Sequence, residues 1–169
     1  MKYYLKENFR FLYDEGQIYD ENGDVAYTFE KETLFLPKIS LYDSMGAPVG
    51  RIETELSFFL REYSIYLYDD YAGKIKQEFR FLSHGLNLDD LGWHIEGDFL
   101  AWNYQILDEN GDIVADMEQE LFHLTKHFNI EVYDEKDRDL VMLVVMAINQ
   151  YDKSIDNANA SASAHSSSR

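Results

Sequence analysis

The sequence predicts a mainly β protein, a closed antiparallel β-barrel built from β-hairpins around one hydrophobic α-helix near the C-terminus. Three observations support this fold class. Acidic turn motifs recur along the chain, tyrosine and phenylalanine number 13 and 11 in 169 residues, and one segment of nine residues is wholly apolar. Aromatic residues favour strands. A helix that is apolar on every face must be buried on every face, and a closed barrel offers such a place.

The turn motifs define the hairpins. "IYDENGDV" at 18–25 and "ILDENGDI" at 106–113 are nearly identical. The first Asp of each can accept hydrogen bonds from backbone N–H groups two residues on. Asn22-Gly23 can then adopt the positive φ angles of a tight hairpin turn. Past the turn, Val25, Tyr27 and Phe29 share one face of a predicted strand.

Related turns recur elsewhere and predict a series of hairpins. They are "LYDEG" at Leu12, "LYDSMGAPVG" at Leu41, "LYDDYAGKI" at Leu67 and "VYDEKDRDL" at Val132. Asp43 and Asp108 are separated by 65 positions, because 108 − 43 = 65. Asp69 and Asp134 have the same separation, because 134 − 69 = 65. This offset indicates two structurally similar halves. The alternative is convergent turn chemistry under one alternation rule.

The wholly apolar segment is "LVMLVVMAI", Leu140–Ile148. As a helix it rises ~1.5 Å per residue, which is under half of a ~30 Å bilayer core. It is therefore too short to span a membrane and is predicted to lie inside the barrel. Asp137 and Asp139 suit the first turn of such a helix. The alternative is a central β-strand, which the three valines of the segment allow.

Length and composition predict one domain at residues 1–156, followed by a disordered tail at 157–169 that is rich in serine and alanine. The formal net charge is −17, from 32 acidic and 15 basic residues. This charge repels nucleic acids, which are excluded as partners, and it disfavours contact with anionic membranes. Without an apolar run of signal-peptide length, a cytoplasmic location is expected.

No pattern in the sequence points to catalysis, a metal or a cofactor. Cysteine is absent, which excludes disulfides, thiolate metal sites and a cysteine nucleophile. An EF-hand loop that began at Asp20 would need Gly at its sixth and Glu at its twelfth position, where Val25 and Lys31 stand. The paired carboxylates Glu53 and Glu55 share the predicted outer face of a strand. We therefore expect a protein that is not an enzyme.

The order of these features resembles the LURP-one-related family, whose domain is similar to the Tubby C-terminal domain and to phospholipid scramblases. The resemblance covers residues 3–155. It rests on "GDFLAWNYQILDENGDIVADMEQE" from Gly97, the "YDEKD" turn from Tyr133, and the apolar segment that follows. Its most specific part is Gly97-Asp98-Phe99 with Trp102-Asn103-Tyr104. The resemblance implies a Tubby-like barrel of about a dozen strands around a central helix.

Two functions from different classes remain open. The first is a non-catalytic interaction module whose acidic surface meets an unknown, basic protein partner. The second, which the resemblance implies, is the binding of a lipid headgroup or another small ligand. Lys74, Lys76 and Arg80 are the candidate binding residues, because they lie on one face of a regular strand. Glu78 interrupts this row, which favours a solvated outer face.

Overall fold

The structure, a computed structural model, describes residues 1–5, 15–32, 36–57, 60–76, 85–98, 103–120 and 127–150. Twelve strands form one antiparallel sheet in the order β7-β6-β5-β4-β3-β2-β1-β12-β11-β10-β9-β8. The strands are β1 (Lys2–Leu5), β2 (Glu15–Asp20), β3 (Val25–Glu32), β4 (Lys38–Asp43), β5 (Pro48–Ser57), β6 (Leu60–Leu67), β7 (Asp70–Lys76), β8 (Gly85–Leu88), β9 (Trp93–Asp98), β10 (Asn103–Leu107), β11 (Ile113–Glu120) and β12 (His127–Val132).

A single helix, α1, follows β12 and is helical from 138 to 150, the last described residue. Short 3-10 helices lie at Asp89–Leu91 and Glu135–Asp137. The predicted mainly β fold with a helix near the C-terminus is therefore confirmed. In the part of the chain that the structure describes, no helix is long and apolar enough to cross a bilayer.

Three hairpin turns share one set of hydrogen bonds. The Oδ1 atoms of Asp20, Asp43 and Asp108 each accept from the backbone N–H groups two and four residues on, at 2.8–3.0 Å. Each turn holds one left-handed glycine, with φ between 80° and 85°. The expectation that Asn22 also adopts positive φ is wrong. The turn contains a register shift, and such a bulged loop needs one left-handed residue rather than two.

The structure supports the predicted offset of 65 residues between two similar halves only in part. The ladders β4–β5 and β10–β11 shift register at corresponding positions, after Leu41 and after Ile106. The ladder β2–β3 shifts in the same way without sharing the offset. Asp69 lies in a two-residue turn, whereas Asp134 caps the 3-10 helix that leads into α1. The prediction of a hairpin at "VYDEKDRDL" is therefore wrong, and shared turn chemistry explains the recurrence without two equivalent halves.

The core surrounds α1. No residue from 141 to 150 is more than 5% exposed. All twelve strands contribute buried side chains to the same hydrophobic cluster as the helix, so the sheet curls around it. Contact is close at Gly50, where an added Cβ would lie 2.7 Å from Leu143 Cδ1 and 2.4 Å from the Tyr66 carbonyl oxygen. The predicted burial on every face is confirmed, and the alternative of a strand is excluded.

The hydrogen-bonded ladder ends at β7 and β8, which do not pair with each other within the described residues. Backbone hydrogen bonds therefore do not close the sheet there, and a closed barrel stays a prediction. Side chains bridge the gap instead. The Tyr71 hydroxyl donates to Asp90 Oδ2 at 2.7 Å. A Cβ at Gly73 would lie 3.1 Å from Leu91 Cγ, so the 3-10 helix packs directly on β7.

Candidate interaction surface

The topology gathers half of the chain's connections at one end of the sheet. In an antiparallel sheet of consecutive strands, every second connection lies at the same end. We call this the turn end. It comprises residues 20–24, 43–47, 68–70, 89–92, 108–112 and 133–137, and α1 enters the core from it. All of its segments are described, whereas connections at the opposite end lie wholly or partly outside the described residues.

The turn end concentrates negative charge. Its six segments carry fourteen acidic residues and one basic residue, Lys136. The acids are Asp20, Glu21, Asp24, Asp43, Asp69, Asp70, Asp89, Asp90, Asp108, Glu109, Asp112, Asp134, Glu135 and Asp137. Charges of one sign collected at one end create a field that attracts cationic groups.

In each of the three similar hairpin turns, the first Asp accepts hydrogen bonds from backbone N–H groups. The pKa of the Asp108 carboxyl is lowered because the backbone N–H groups of Asp112 and Asn110 donate hydrogen bonds to it. Among the described residues, no group of three or more His, Asp or Glu side chains is arranged to hold a metal ion. The first Asp of each turn stabilises the bend through its hydrogen bonds to the backbone, and the absence of bound calcium stays a prediction.

Calcium should not change the stability of the protein. Each turn carboxylate holds the chain by accepting two backbone N–H groups, and among the described residues no three carboxylate or histidine side chains are arranged around a common cation position. We expect thermal unfolding curves in 5 mM EDTA and in ~5 mM calcium chloride to coincide within about 1 °C, since a ligand stabilises only by binding the folded state. Magnesium chloride at equal ionic strength is the control. A calcium-specific rise in Tm of several degrees would contradict this account of the turns.

A buried carboxylate secures the entry of α1. Asp139 is 9% exposed and accepts hydrogen bonds from the Tyr27 hydroxyl at 2.5 Å and from the Tyr68 hydroxyl. The Arg138 Nε donates to the same carboxylate at 3.3 Å. The sequence predicts Asp139 in the first helical turn but gives no sign of these partners. Tyr27 and Tyr68 are 112 and 71 positions away, so no local pattern could have revealed them.

Exposed apolar side chains also collect at the turn end. Seven large hydrophobic side chains among the described residues are exposed, and six of them lie in or beside the acidic turns. These six are Met1, Met45, Tyr68, Tyr71, Ile113 and Tyr133. The seventh, Leu56, lies toward the opposite end of β5. Exposed apolar side chains at the end that also carries the acidic residues can supply contact area for a partner.

A cleft of about 330 Å³ opens between the β4–β5 hairpin and the β6–β7 turn. Tyr42, Pro48 and Tyr68 contribute apolar surface to its lining. Arg51 lies at the cleft with its Nε donating to Glu53 at 2.8 Å and its Nη1 to Asp69 at 2.6 Å. Its guanidinium carbon also lies 4.2 Å from the centroid of the Tyr66 ring. The walls of this cleft are therefore fixed by several independent contacts.

Comparison with known proteins agrees with this architecture. The family model described as LURP-one-related matches residues 1–149. The chain belongs to the LURP-one-related family. No curated protein matches this LURP-one-related chain. A protein from Arabidopsis thaliana, solved by X-ray crystallography, has a similar fold with a TM-score of 0.55 and 14% sequence identity. The match covers 88% of this chain and 91% of the Arabidopsis chain, and at this identity it shows the fold alone.

The basic row predicted for this LURP-one-related chain is only partly visible. Lys74 lies on β7 and its Nζ donates to Glu62 at 2.8 Å and to Glu55 at 3.0 Å. The pKa of Lys74 is raised because of these two hydrogen bonds. The side chain of Lys76 and all of Arg80 lie outside the described residues. Glu55 lies on the outer face, as predicted, and Lys74 is neutralised there by two carboxylates.

Alkaline pH should destabilise the LURP-one-related fold above the ordinary tyrosine pKa of 10.0. Burial raises the pKa of Tyr27, Tyr3 and Tyr104, and the hydrogen bond to Asp139 raises that of Tyr68. Below pH 10 both folded and unfolded chains keep these hydroxyls protonated. Above it the unfolded chain ionises first, so stability is lost as pH rises. Urea midpoints at pH 8, 9, 10 and 11 would measure this.

The matched variant for this titration is Tyr27→Phe. It removes one buried hydroxyl with a raised pKa, so the fall in the urea midpoint above pH 10 should become shallower. A midpoint that stays constant from pH 9 to pH 11, or a slope unchanged in Tyr27→Phe, would contradict the role assigned to these tyrosines.

Proposed function

We propose that this chain is a non-catalytic interaction module that binds a basic protein partner through its turn end. The observation that carries this proposal is the coincidence of fourteen acidic residues with six exposed apolar side chains at one end of the sheet. Acidic groups attract and orient a cationic partner, and apolar groups supply the contact area that holds it. A cytoplasmic location and closure of the sheet into a Tubby-like barrel belong to the same proposal.

The position of α1 favours binding at the outer surface of the domain rather than in its interior. The helix fills the interior of the curled sheet, and side chains from all twelve strands pack in one cluster with it. A domain whose interior is occupied by its own helix presents its outer surface and its rims for recognition. The acidic turn end is the rim whose backbone the structure describes throughout.

Affinity capture tests the proposal. The full chain, immobilised through a C-terminal tag, would be exposed to lysate, and bound proteins would be eluted with a salt gradient. We expect proteins with lysine- and arginine-rich segments to elute. A purified candidate should bind the free chain with an affinity that falls between 50 and 200 mM salt, because exposed charges are screened over about 10 Å. Salt-insensitive partners, or no purified protein partner, would contradict the proposal.

Two double variants test which part of the surface makes the electrostatic contribution to partner binding. Glu21→Gln with Glu109→Gln neutralises two carboxylates at the turn end. Glu30→Gln with Glu118→Gln neutralises two on strand faces nearer the opposite end, so both variants have the same net charge. The first pair should weaken binding by about 0.2–1 kcal/mol per lost ion pair, and the second should have little effect. Equal effects would mean that only net charge matters.

Binding to phosphoinositide vesicles should be absent at physiological salt. Lys74, the described member of the predicted basic row, is held by Glu55 and Glu62 and offers little free charge to a phosphate. Co-sedimentation with phosphatidylcholine vesicles that contain 5% phosphatidylinositol bisphosphate would measure this, with phosphatidylcholine alone as the control. Binding that is lost when Lys74, Lys76 and Arg80 are changed to Glu would refute the prediction and favour a lipid-binding function.

A further inference from the structure

The β4–β5 turn keeps the backbone of its counterparts but not their side chains. Residues 43–47 form the same Asp-anchored hydrogen bonds, with a left-handed glycine at the same place. Met45 occupies the position that Asn22 and Asn110 hold in the other two turns. The acids that flank those asparagines are replaced here by uncharged residues. The three turns have the same backbone geometry, so that geometry does not explain why the side chains of this one are different.

Met45 exposes an apolar side chain to solvent at the tip of this hairpin. Asn22 and Asn110 each donate through Nδ2 to the first Asp of their turn, at 3.3 and 3.4 Å. Methionine has no donor for such a bond, and Met45 is 91% exposed. The turn thus lacks a side-chain hydrogen bond that its counterparts form, and it exposes a flexible thioether. Methionine is favoured on surfaces that must adapt to a partner.

The cleft lined by the strands of this hairpin has a preorganised wall. Tyr68 and Asp69 form a two-residue turn in which both have positive φ, 49° and 70°. Non-glycine residues hold this conformation at a cost in free energy, and such strain concentrates at functional sites. The Tyr68 hydroxyl is bonded to Asp139, so the ring is fixed although its side chain remains exposed. A rigid aromatic wall lowers the entropy lost on binding.

We propose that this cleft and the Met45 tip of the same hairpin together dock an apolar side chain from a lysine- and arginine-rich segment of a partner protein. The proposal rests on the function proposed above and identifies the place of contact. The charge around the cleft selects this occupant. In the sheet order, the turn at 43–47 lies between the acidic turns at 68–70 and 20–24. Arg51 does not oppose a cation, because Glu53 and Asp69 neutralise it.

The sheet geometry predicts the spacing of the segment. Neighbouring strands lie ~4.8 Å apart, so neighbouring hairpin tips are separated by two strand spacings, or about 10 Å. An extended peptide advances ~3.3 Å per residue, so about three residues cover this distance. The preferred segment therefore carries an apolar residue with basic residues three positions before and three positions after it.

A synthetic heptapeptide, Lys-Gln-Ser-Leu-Ser-Gln-Lys with blocked ends, is the probe. The full chain would carry ¹³C-methyl methionine and ¹⁵N, and the peptide would be titrated by NMR. Met45 should show a saturable methyl shift, whereas the buried Met117, Met142 and Met146 serve as internal references. Amide shifts should map to residues 42–51 and 68–69. Peptides with Leu replaced by Ser, or with both Lys replaced by Glu, should bind at least about tenfold more weakly, the equivalent of 1.4 kcal/mol.

Met45→Asn is the test variant, because it installs the residue that the two equivalent turns already contain. It should fold normally and weaken binding of the leucine peptide about tenfold, which corresponds to loss of one buried apolar contact. Leu56→Asn is the matched control, since Leu56 is 57% exposed but lies away from the turn end. It should leave the peptide affinity unchanged.

Several results would overturn the docking site. They are equal binding of the leucine and serine peptides, equal weakening by Met45→Asn and Leu56→Asn, or no cleft resonance that responds to the peptide. Shifts of Met45 that depend on protein concentration alone would instead assign the cleft to a second copy of the chain. Shifts caused by phosphatidylcholine vesicles would assign it to a lipid. A captured partner whose binding survives Met45→Asn would refute the site while leaving the proposed function intact.

Discussion

Val144→Asp should leave little folded protein. Val144 lies in the middle of α1 and is fully buried, with the helix enclosed by side chains from every strand of the sheet. A carboxylate placed there would have no partner, and burying such a group costs several kcal/mol even after it becomes protonated. The total stability of a domain of this size is ~5–15 kcal/mol. Soluble yield, far-UV circular dichroism and a urea midpoint would measure the loss.

Two further variants calibrate this result. Leu143→Ala should lower the unfolding free energy by roughly 2–5 kcal/mol, because it leaves a cavity where Leu143 packs on Gly50. Ile113→Asp makes a comparable change from an apolar residue to Asp at a side chain that is 43% exposed. It should keep the chain folded. If Val144→Asp unfolds at the same urea concentration as Ile113→Asp, the helix is not enclosed.

Asp139→Ala should produce the second large effect. The substitution removes the acceptor of the Tyr27 and Tyr68 hydroxyls at the entry of α1. Tyr27 is buried, so the loss of the carboxylate that accepts from its hydroxyl should cost about 1–3 kcal/mol. Tyr68 is exposed and can turn to water. We expect the unfolding free energy to fall by about this amount, as measured by urea denaturation at pH 7.

A double-mutant cycle isolates the interaction. Tyr27→Phe and Asp139→Ala each remove the same hydrogen bond, so the double variant should lose less stability than the two single variants together. Asp24→Ala removes an exposed carboxyl at the same end of the sheet and should be nearly silent. Strict additivity of Tyr27→Phe and Asp139→Ala would show that the hydrogen bond contributes nothing to stability.

Local chemistry made the turns and the helix predictable. The Asp-x-x-Gly spacing carries its own hydrogen bonds, which form within five residues at Asp20, Asp43 and Asp108. The apolar segment Leu140–Ile148 lacks any polar face, so its burial followed from composition. By contrast, the conformation of "VYDEKD" depends on the segment that follows it. Asp134 caps a 3-10 helix because the following segment must enter the core rather than return along the sheet.

Long-range features of the candidate site could not be predicted from the sequence. The cleft joins residues from β4, β5 and the β6–β7 turn, which come together only through the strand order. Asp139 meets Tyr27 and Tyr68, which are 112 and 71 positions away in the chain. One signal was available: "DSMGA" differs from "DENGD" at three of five positions, with Met where Asn stands. Asparagine at this position suffices for a turn that is only exposed to solvent, so the methionine indicates an additional role.

A scan of Asp substitutions along Leu140–Ile148 tests most directly whether the curled sheet encloses the helix. Yield of soluble protein and the circular dichroism of each variant would be measured. The structure predicts loss of folded protein at every position from 141 to 148, with partial tolerance only at Leu140, which is half-buried. Tolerant positions spaced at i, i+3, i+4 and i+7 would place the helix on the surface, and tolerance at every second residue would indicate a strand. Either pattern would contradict a helix that fills the sheet and leaves recognition to its acidic end.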